Sequence, residues 1–218
     1  MLADPNRHIA LAQYRLRAQY YDAQLAAFAP VRRLAVDCLQ LQPGATVLDV
    51  GCGTGLSLEL LHQGVGPQGQ ILGIEQSPEM FDLARQRVAR HTWRNVTLVN
   101  APVESAAIAG QADAALFLFT HDILRHPAEI SHVVRHLKPG ARVVAAGLQW
   151  CAPWDWPGNW LVMLAAMMST SSLEGLAQPW SHLVQQVGDM QTVPSPINGV
   201  YVVSGRYTPQ KTEVVHHV

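Results

Sequence analysis

Cysteine is scarce in this chain, and so is any imbalance of charge. The three cysteines, Cys38, Cys52 and Cys151, are an odd number without paired spacing, which argues against a disulfide framework and for reduced thiols in a cytoplasmic protein. Fifteen Lys and Arg stand against sixteen Asp and Glu, a formal charge of −1, with no basic stripe of the kind that tracks a nucleic acid or an anionic membrane. Nucleic-acid binding is therefore not expected. Long apolar runs are missing too. The longest, Leu161 to Met168, is far too short for a transmembrane segment, and the N-terminus, with Asp4 and Arg7, has no apolar core of signal-peptide length. Internal repeats and low-complexity tracts are absent. The 218 residues suffice to bury one sizeable core and read as a single domain over residues 1–218.

The informative part is what surrounds a set of glycines. Val47-Leu-Asp-Val-Gly-Cys-Gly-Thr-Gly55 is an apolar strand that runs into three alternate glycines and then into the helix-like Leu56-Ser-Leu-Glu-Leu-Leu61. Without Cβ atoms, Gly51, Gly53 and Gly55 let the turn take unusual backbone angles and let a ligand lie against the main chain. In the dinucleotide fingerprint the third glycine comes five residues after the first, where this chain has Leu56. Gln70-Ile-Leu-Gly-Ile-Glu75 reads as a second strand ending in an acid. Glu75 falls 24 residues after Gly51, near the spacing of a carboxylate that grips ribose hydroxyls with its two acceptor oxygens. Ser77-Pro78-Glu79-Met80 opens the next helix, with Ser77 as N-cap, Pro78 at the first helical position and Glu79 favoured by the dipole.

The rest keeps the same rhythm. Helix-forming residues 8–28 and a helix from Pro30 make a preface (1–42) that Pro43-Gly44 ends. The core (43–150) reads as strands 45–50, 70–75, 96–99, 113–119 and 142–148. Between them lie helices 55–63 and 78–90, a short one near 103–109 and one near 127–137, with a Lys138-Pro139-Gly140 turn before the fifth strand. The last part (151–218) holds one or two helices rich in Trp and Met, then a closing pair of strands at Thr192-Val193 and Val200–Gly205 beside turn signals at Pro194-Ser-Pro196 and Asn198-Gly199. The class is α/β: a Rossmann-like, doubly wound, seven-stranded sheet, mainly parallel with an antiparallel C-terminal hairpin and preceded by N-terminal helices.

Asp49 inside the first strand, Gly51-Cys-Gly-Thr-Gly55 after it and Glu75 at the end of the second resemble the motifs of the class I S-adenosylmethionine (SAM) dependent methyltransferases. The resemblance covers roughly residues 20–150 as an ordered series. It implies SAM as cofactor and methyl transfer as activity. It also implies that Asp49, Gly51, Cys52 and Gly53 lie at the methionine and ribose end, Glu75 on the ribose, and Gln76 and Met80 about the adenine. Many relatives carry an acid after the third strand. Here Pro102 of Ala101-Pro102-Val103 takes that place, leaving the adenine to the Val103 backbone and apolar walls, with Glu104 a weaker candidate. Relatives often have a Tyr-Asp pair before the first strand, so Tyr21, next to Asp22, is a lid contact over the methionine end, or else a packed tyrosine.

In such a sheet the ligand crevice lies beyond the carboxyl ends of the strands. The loops after the first four strands, carrying Gly51–Gly55, Glu75 and Gln76, Asn100–Glu104, and Thr120-His121-Asp122, should converge there. Methyl transfer asks mainly for alignment and exclusion of water, with proton removal where the acceptor does not arrive ionised. Thr120 and His121 should face cofactor and acceptor, with His121 the candidate base, since imidazole titrates near neutrality, and Asp122 orienting it; a structural His-Asp pair is the plainer alternative. Trp150, Trp154 and Trp160 are candidates for the acceptor side, for a small, apolar or aromatic acceptor, against core packing or a surface patch as rivals. His132 and His136 with Glu129 have helical spacing but no supporting ligand pattern, so no metal site is expected. His216-His217 reads as a solvated end. The acceptor's identity and methylated atom stay open, and a homodimer is compatible with the sequence. A catalytically silent SAM-binding protein is the rival of another class, ahead of a nucleotide-dependent oxidoreductase.

Overall fold

The computed structural model describes Asp22, residues 25–169 and residues 172–209. Seven strands, β1 (Thr46–Val50), β2 (Gln70–Glu75), β3 (Val96–Asn100), β4 (Ala112–Leu118), β5 (Leu137–Leu148), β6 (Met190–Val193) and β7 (Val200–Arg206), form one sheet in the order β3-β2-β1-β4-β5-β7-β6. β1 to β5 pair in parallel, while β7 runs antiparallel to β5 and β6 antiparallel to β7. The expected seven-stranded mixed sheet with its closing hairpin is thus the observed one. Strand order reverses at β1 and β4, which places the crevice of a doubly wound sheet beside their carboxyl ends.

Helices cover both faces because the central strands are apolar on both sides. On one face α1 (Ala29–Cys38), α2 (Leu58–Val65) and α6 (Trp156–Ser169) pack Val31, Ala35, Leu58, Leu61, Val162 and Ala166 against Val47, Leu116, Val144 and Val202. On the other, α5 (Pro127–Val134) and α7 (Ser181–Val187) bring Ile130, Val133, Leu183 and Val187 against Leu48, Phe117, Val143 and Val203. The alternation along each strand follows from the two-residue repeat of strand side chains. α3 (Pro78–His91) starts as its cap predicts, with the Ser77 side chain accepting from the Met80 N–H. α4 (His121–Leu124) is a single turn directly after the β4 loop.

Three boundaries differ from the sequence reading. The helix expected from residue 55 starts at Leu58, because Gly51, Gly53 and Gly55 all hold positive φ (68°, 57° and 80°) and keep the chain out of the helical basin. The helix expected near 127–137 ends at Val134. His136 then gives its carbonyl to the Ala112 N–H (2.7 Å), and β5 begins at Leu137. Between Leu137 and Arg142 the chain bulges around Pro139-Gly140, so the register jumps from Ala112↔Leu137 to Ala114↔Arg142. A bulge is where a strand tolerates proline. The short helix expected near 103–109 is one 3-10 turn, Val103–Ser105. Among the described residues no helix is long and apolar enough to cross a membrane.

Candidate cofactor and active site

The site begins with a carboxylate that shapes the backbone. Glu75, at the end of β2, is buried; its Oε2 accepts the Gly53 N–H at 2.9 Å and its Oε1 accepts the Ser77 N–H at 2.7 Å. One side chain thus fixes both the glycine loop and the entry to α3. Burial raises its pKa, while the N–H groups of Ser77, Gly53 and Gln76 pull it back. A carboxylate has about four lone-pair sites, so each oxygen retains capacity for a ligand hydroxyl. Asn100 Nδ2 donates to the Glu75 carbonyl at 2.8 Å and ties β3 to the same corner.

Space at the loop is set by the absence of a side chain. A Cβ on Gly51 would stand 2.6 Å from Thr120 Cγ2 and 2.9 Å from Ile123 Cδ1, so the loops after β1 and β4 meet only because Gly51 is bare. Both form a cleft with Gly53, Glu75, Gln76, Met80, Val103 and Asp122. Ile74, Leu118, Phe119 and Ile123 complete its wall; these apolar residues read as ordinary strand or helix residues in the sequence. Phe119 takes a left-handed backbone (φ 56°), and its ring meets Phe28 edge-on at 5.0 Å. Positive φ at a bulky residue is a local strain that concentrates at functional sites. The free volume of the cleft is about 50 Å³, well below the roughly 300 Å³ of a typical small-molecule site.

Asp49 lies one layer behind, 1% exposed, in a small cavity with Arg32, Gly51, Cys52 and Gly53. Burial pushes its pKa up to about 7, against the lowering influence of Arg32, and its Oδ2 has no hydrogen-bond partner. Thr120 Oγ1 is likewise buried without a partner on the cleft side. Asp22 accepts from Thr54 Oγ1 (2.5 Å) and from the Arg87 guanidinium (2.5 Å), which fastens the end of the N-terminal segment to the glycine loop; Arg87 Nε also donates to the Thr54 carbonyl. A glycine cradle that a Cβ would fill, two orphaned buried oxygens and three carboxylates, Asp49, Glu75 and Asp122, fit a cationic ligand that carries hydroxyls. SAM is such a ligand.

Other expected residues are not brought to this cleft. His121 is not on its wall: its Nε2 lies 2.8 Å from the Glu174 carbonyl, a bond that requires the Nε2–H tautomer, and Nδ1 is buried without a partner. Burial lowers its pKa, against the raising influence of the Glu174 carbonyl and Asp122. The reason is local, since α4 starts at His121 and turns that side chain towards residue 174 while Asp122 faces the cleft. Pro102 also stays off the wall and instead offers its carbonyl to the Ser105 N–H, opening the 3-10 turn that delivers Val103. Trp154 and Trp160 are 84% and 57% exposed, and Trp150 is half-buried against the α1–α2–α6 layer. None of the three lines the cleft. Tyr21 and His216-His217 lie outside the described residues. His132 Nε2 (2.9 Å from the Ala106 carbonyl) and His136 Nδ1 (2.8 Å from the His132 carbonyl) are each engaged by backbone.

The family model for a methyltransferase domain matches residues 47–140, from the glycine-loop strand to the bulge of β5. Residues 47–140 thus match a methyltransferase domain, and the methyltransferases among the relatives and structural neighbours support a class I SAM-dependent methyltransferase. That family's cofactor is SAM. A trans-aconitate 2-methyltransferase from Azoarcus sp. is 30% identical over 173 residues, covering 72% of this chain and 64% of that protein. An arsenite methyltransferase from Halobacterium salinarum is 30% identical over 144 residues, covering 61% of this chain and 36% of that protein. Among solved structures, N-methyltransferase NodS from Bradyrhizobium japonicum, in complex with S-adenosyl-L-homocysteine, shares the fold of this chain with a TM-score of 0.65 at 14% identity, over 91% of this chain and 98% of that one. The chain spans between about a third and two thirds of the length of these curated relatives.

Proposed function

We propose that the chain transfers a methyl group from SAM to a small-molecule acceptor. The observation that carries this reading is the convergence of the bare Gly51–Gly53 loop and the buried, backbone-anchored Glu75 on one cleft wall. SAM supplies an activated methyl on a sulfonium that already contains its leaving group. The chain's own residues then have positioning as their task. Glu75 holds the ribose hydroxyls with its remaining lone pairs, and Gln76, Met80 and Val103 sandwich the adenine. Asp49 and the Gly51–Gly53 backbone receive the positively charged methionine end.

The acceptor side of this reading is Leu118, Phe119, Thr120, Asp122 and Ile123, which line the same cleft. Its apolar members favour an apolar or aromatic acceptor and exclude water from the transfer. Asp122, rather than His121, is the titratable group we assign to accept a proton where the acceptor does not arrive ionised, because it is the one that reaches the wall. Arsenite and trans-aconitate, named for two relatives, are dissimilar enough that kinship selects no acceptor.

Calorimetry with SAM, followed by detection of S-adenosylhomocysteine over a panel of phenols, amines and small acids, tests the proposal. Heat with SAM and product with at least one acceptor are expected. Heat without product from any acceptor would favour a silent SAM-binding protein, and absence of heat would end the proposal.

A further inference from the structure

A second pocket, of about 540 Å³, lies at the opposite end of the sheet, where the amino ends of β1 and β4 meet the bulge of β5. Its polar lining is cationic: Lys138, Arg142 and Arg206, with Asp113 and Gln40 beside them. Arg142 and Arg206 are direct cross-strand partners in the β5–β7 pair. Like charges in that relation repel and destabilise a sheet. Burial, and after it the neighbouring Arg206, lowers the pKa of Arg142.

Among the described residues no carboxylate neutralises the two guanidiniums. Asp113 is taken: its Oδ1 accepts from Lys138 Nζ (2.7 Å) and its Oδ2 from the Thr46 N–H (2.9 Å). Arg142 donates to Gln40 Oε1, and Arg206 donates to the Gly140 carbonyl at 3.1 Å. Both acceptors are uncharged. Arg142 Nε is buried and has no acceptor. Two forked cations held against each other at the mouth of a ligand-sized pocket are what a bound anion would stabilise.

We infer that this pocket binds a small molecule through a phosphate group, which Arg142 and Arg206 clasp together with Lys138 at the rim. A phosphate offers three acceptor oxygens and close to two negative charges, matching two guanidiniums better than a single carboxylate does. The volume lies within the roughly 300–1,000 Å³ of small-molecule sites. This site is separate from the proposed cofactor cleft, which sits at the carboxyl ends of the strands and is lined by carboxylates, so its fate does not depend on that reading.

Thermal unfolding of the full chain without SAM, in pyrophosphate or inorganic phosphate against sodium chloride and succinate at matched ionic strength, provides the test. Pyrophosphate at saturating concentration should raise Tm by about 3–6 °C, with a smaller rise for phosphate. In R206Q, and independently in R142Q, the rise should vanish. Without anion at low salt, R206Q should melt at or above the parent temperature, since the substitution removes repulsion. A merely structural arginine would lower it. Equal rises in chloride or succinate, retention of the pyrophosphate effect in both variants, or a lower Tm for R206Q without anion would each overturn the inference.

Discussion

The two ends of the sheet have opposite chemistry. At the carboxyl ends, Glu75 and Asp122 line a narrow cleft with Asp49 in a small cavity behind it, and Glu75 is matched by backbone N–H groups. At the amino ends, Lys138, Arg142 and Arg206 surround an open pocket and one carboxylate, Asp113, answers them. The strands of β1 and β4 separate the two sets. A chain with a formal charge near zero can therefore present a cation-seeking and an anion-seeking surface at once, which net charge conceals. The sides differ also in how charge is tolerated: Glu75 is stabilised by fixed dipoles before any ligand arrives, whereas the arginine pair is not.

Removing Glu75 is the strongest way to break this contrast. Glu75→Ala deletes two buried, charge-assisted hydrogen bonds and leaves the Gly53 and Ser77 N–H groups without their acceptor, each such bond contributing about 1.5–3 kcal/mol. SAM affinity measured by calorimetry should fall at least about 100-fold. Glu75→Gln should recover part of it, because one amide oxygen still accepts. Circular dichroism checks that the fold survives.

Asp49 gives the next largest effect, and its sign is unusual. Its folded pKa, about 7, stands above the ordinary carboxyl value of 3.8, so the native state binds more protons between those limits. Stability attributable to this group therefore falls as pH rises through the window, by up to about 4 kcal/mol. Denaturant titrations from pH 4 to pH 8 should show that decline in the parent chain and a flatter profile in Asp49→Asn. A saturating positively charged ligand should also flatten it, by favouring the ionised form.

How much of this was legible before the structure depends on the distance over which a residue acts. β2 is read to the residue, and α3 to within one, because Ser77-Pro78-Glu79 caps it with local chemistry. Gly51, Gly53, Glu75, Gln76, Val103, Thr120 and Asp122 could be brought to one cleft because each follows or ends a strand of an ordered sheet, whereas Met80, inside α3, is pointed to by the family resemblance. Phe119 could not. Leu118-Phe119 continues an apolar strand in pattern, and only tertiary packing on Phe28 and the Ala146 carbonyl forces it to positive φ. His121 and Asp122 are adjacent, and the start of α4 decides which of them faces the cleft. Tryptophan at helical spacing likewise does not reveal the facing side, which is why Trp154 and Trp160 stand in solvent. The Arg142–Arg206 pair depends on the β5–β7 register and on the bulge before it, neither of which has a local signature.

Gly51 sharpens the comparison by steric means alone. Gly51→Ala places a methyl against Thr120 Cγ2 at 2.6 Å on a backbone with φ 68°, so strain and clash together should cost about 2–4 kcal/mol of stability. Thr120→Ser removes the nearer methyl. The double variant should regain part of that loss in a denaturant titration, and the unrecovered part reports the left-handed backbone together with the remaining contact on Ile123 Cδ1.

The smallest effect is expected at His121. Its Nε2–H is engaged by the Glu174 carbonyl, and burial lowers its pKa. Replacing it with Ala removes one neutral hydrogen bond, about 1 kcal/mol, and leaves the cleft wall with its carboxylates intact. Once an acceptor is in hand, kcat should stay within about twofold of the parent and the pH–rate profile should keep its shape, while Tm drops by a few degrees. Asp122→Asn, by contrast, should lower kcat for acceptors that arrive protonated and spare those already ionised. A loss of the acid limb in His121→Ala with Asp122→Asn unaffected would move the base back to the histidine, and would mean that α4 rotates when the cleft fills.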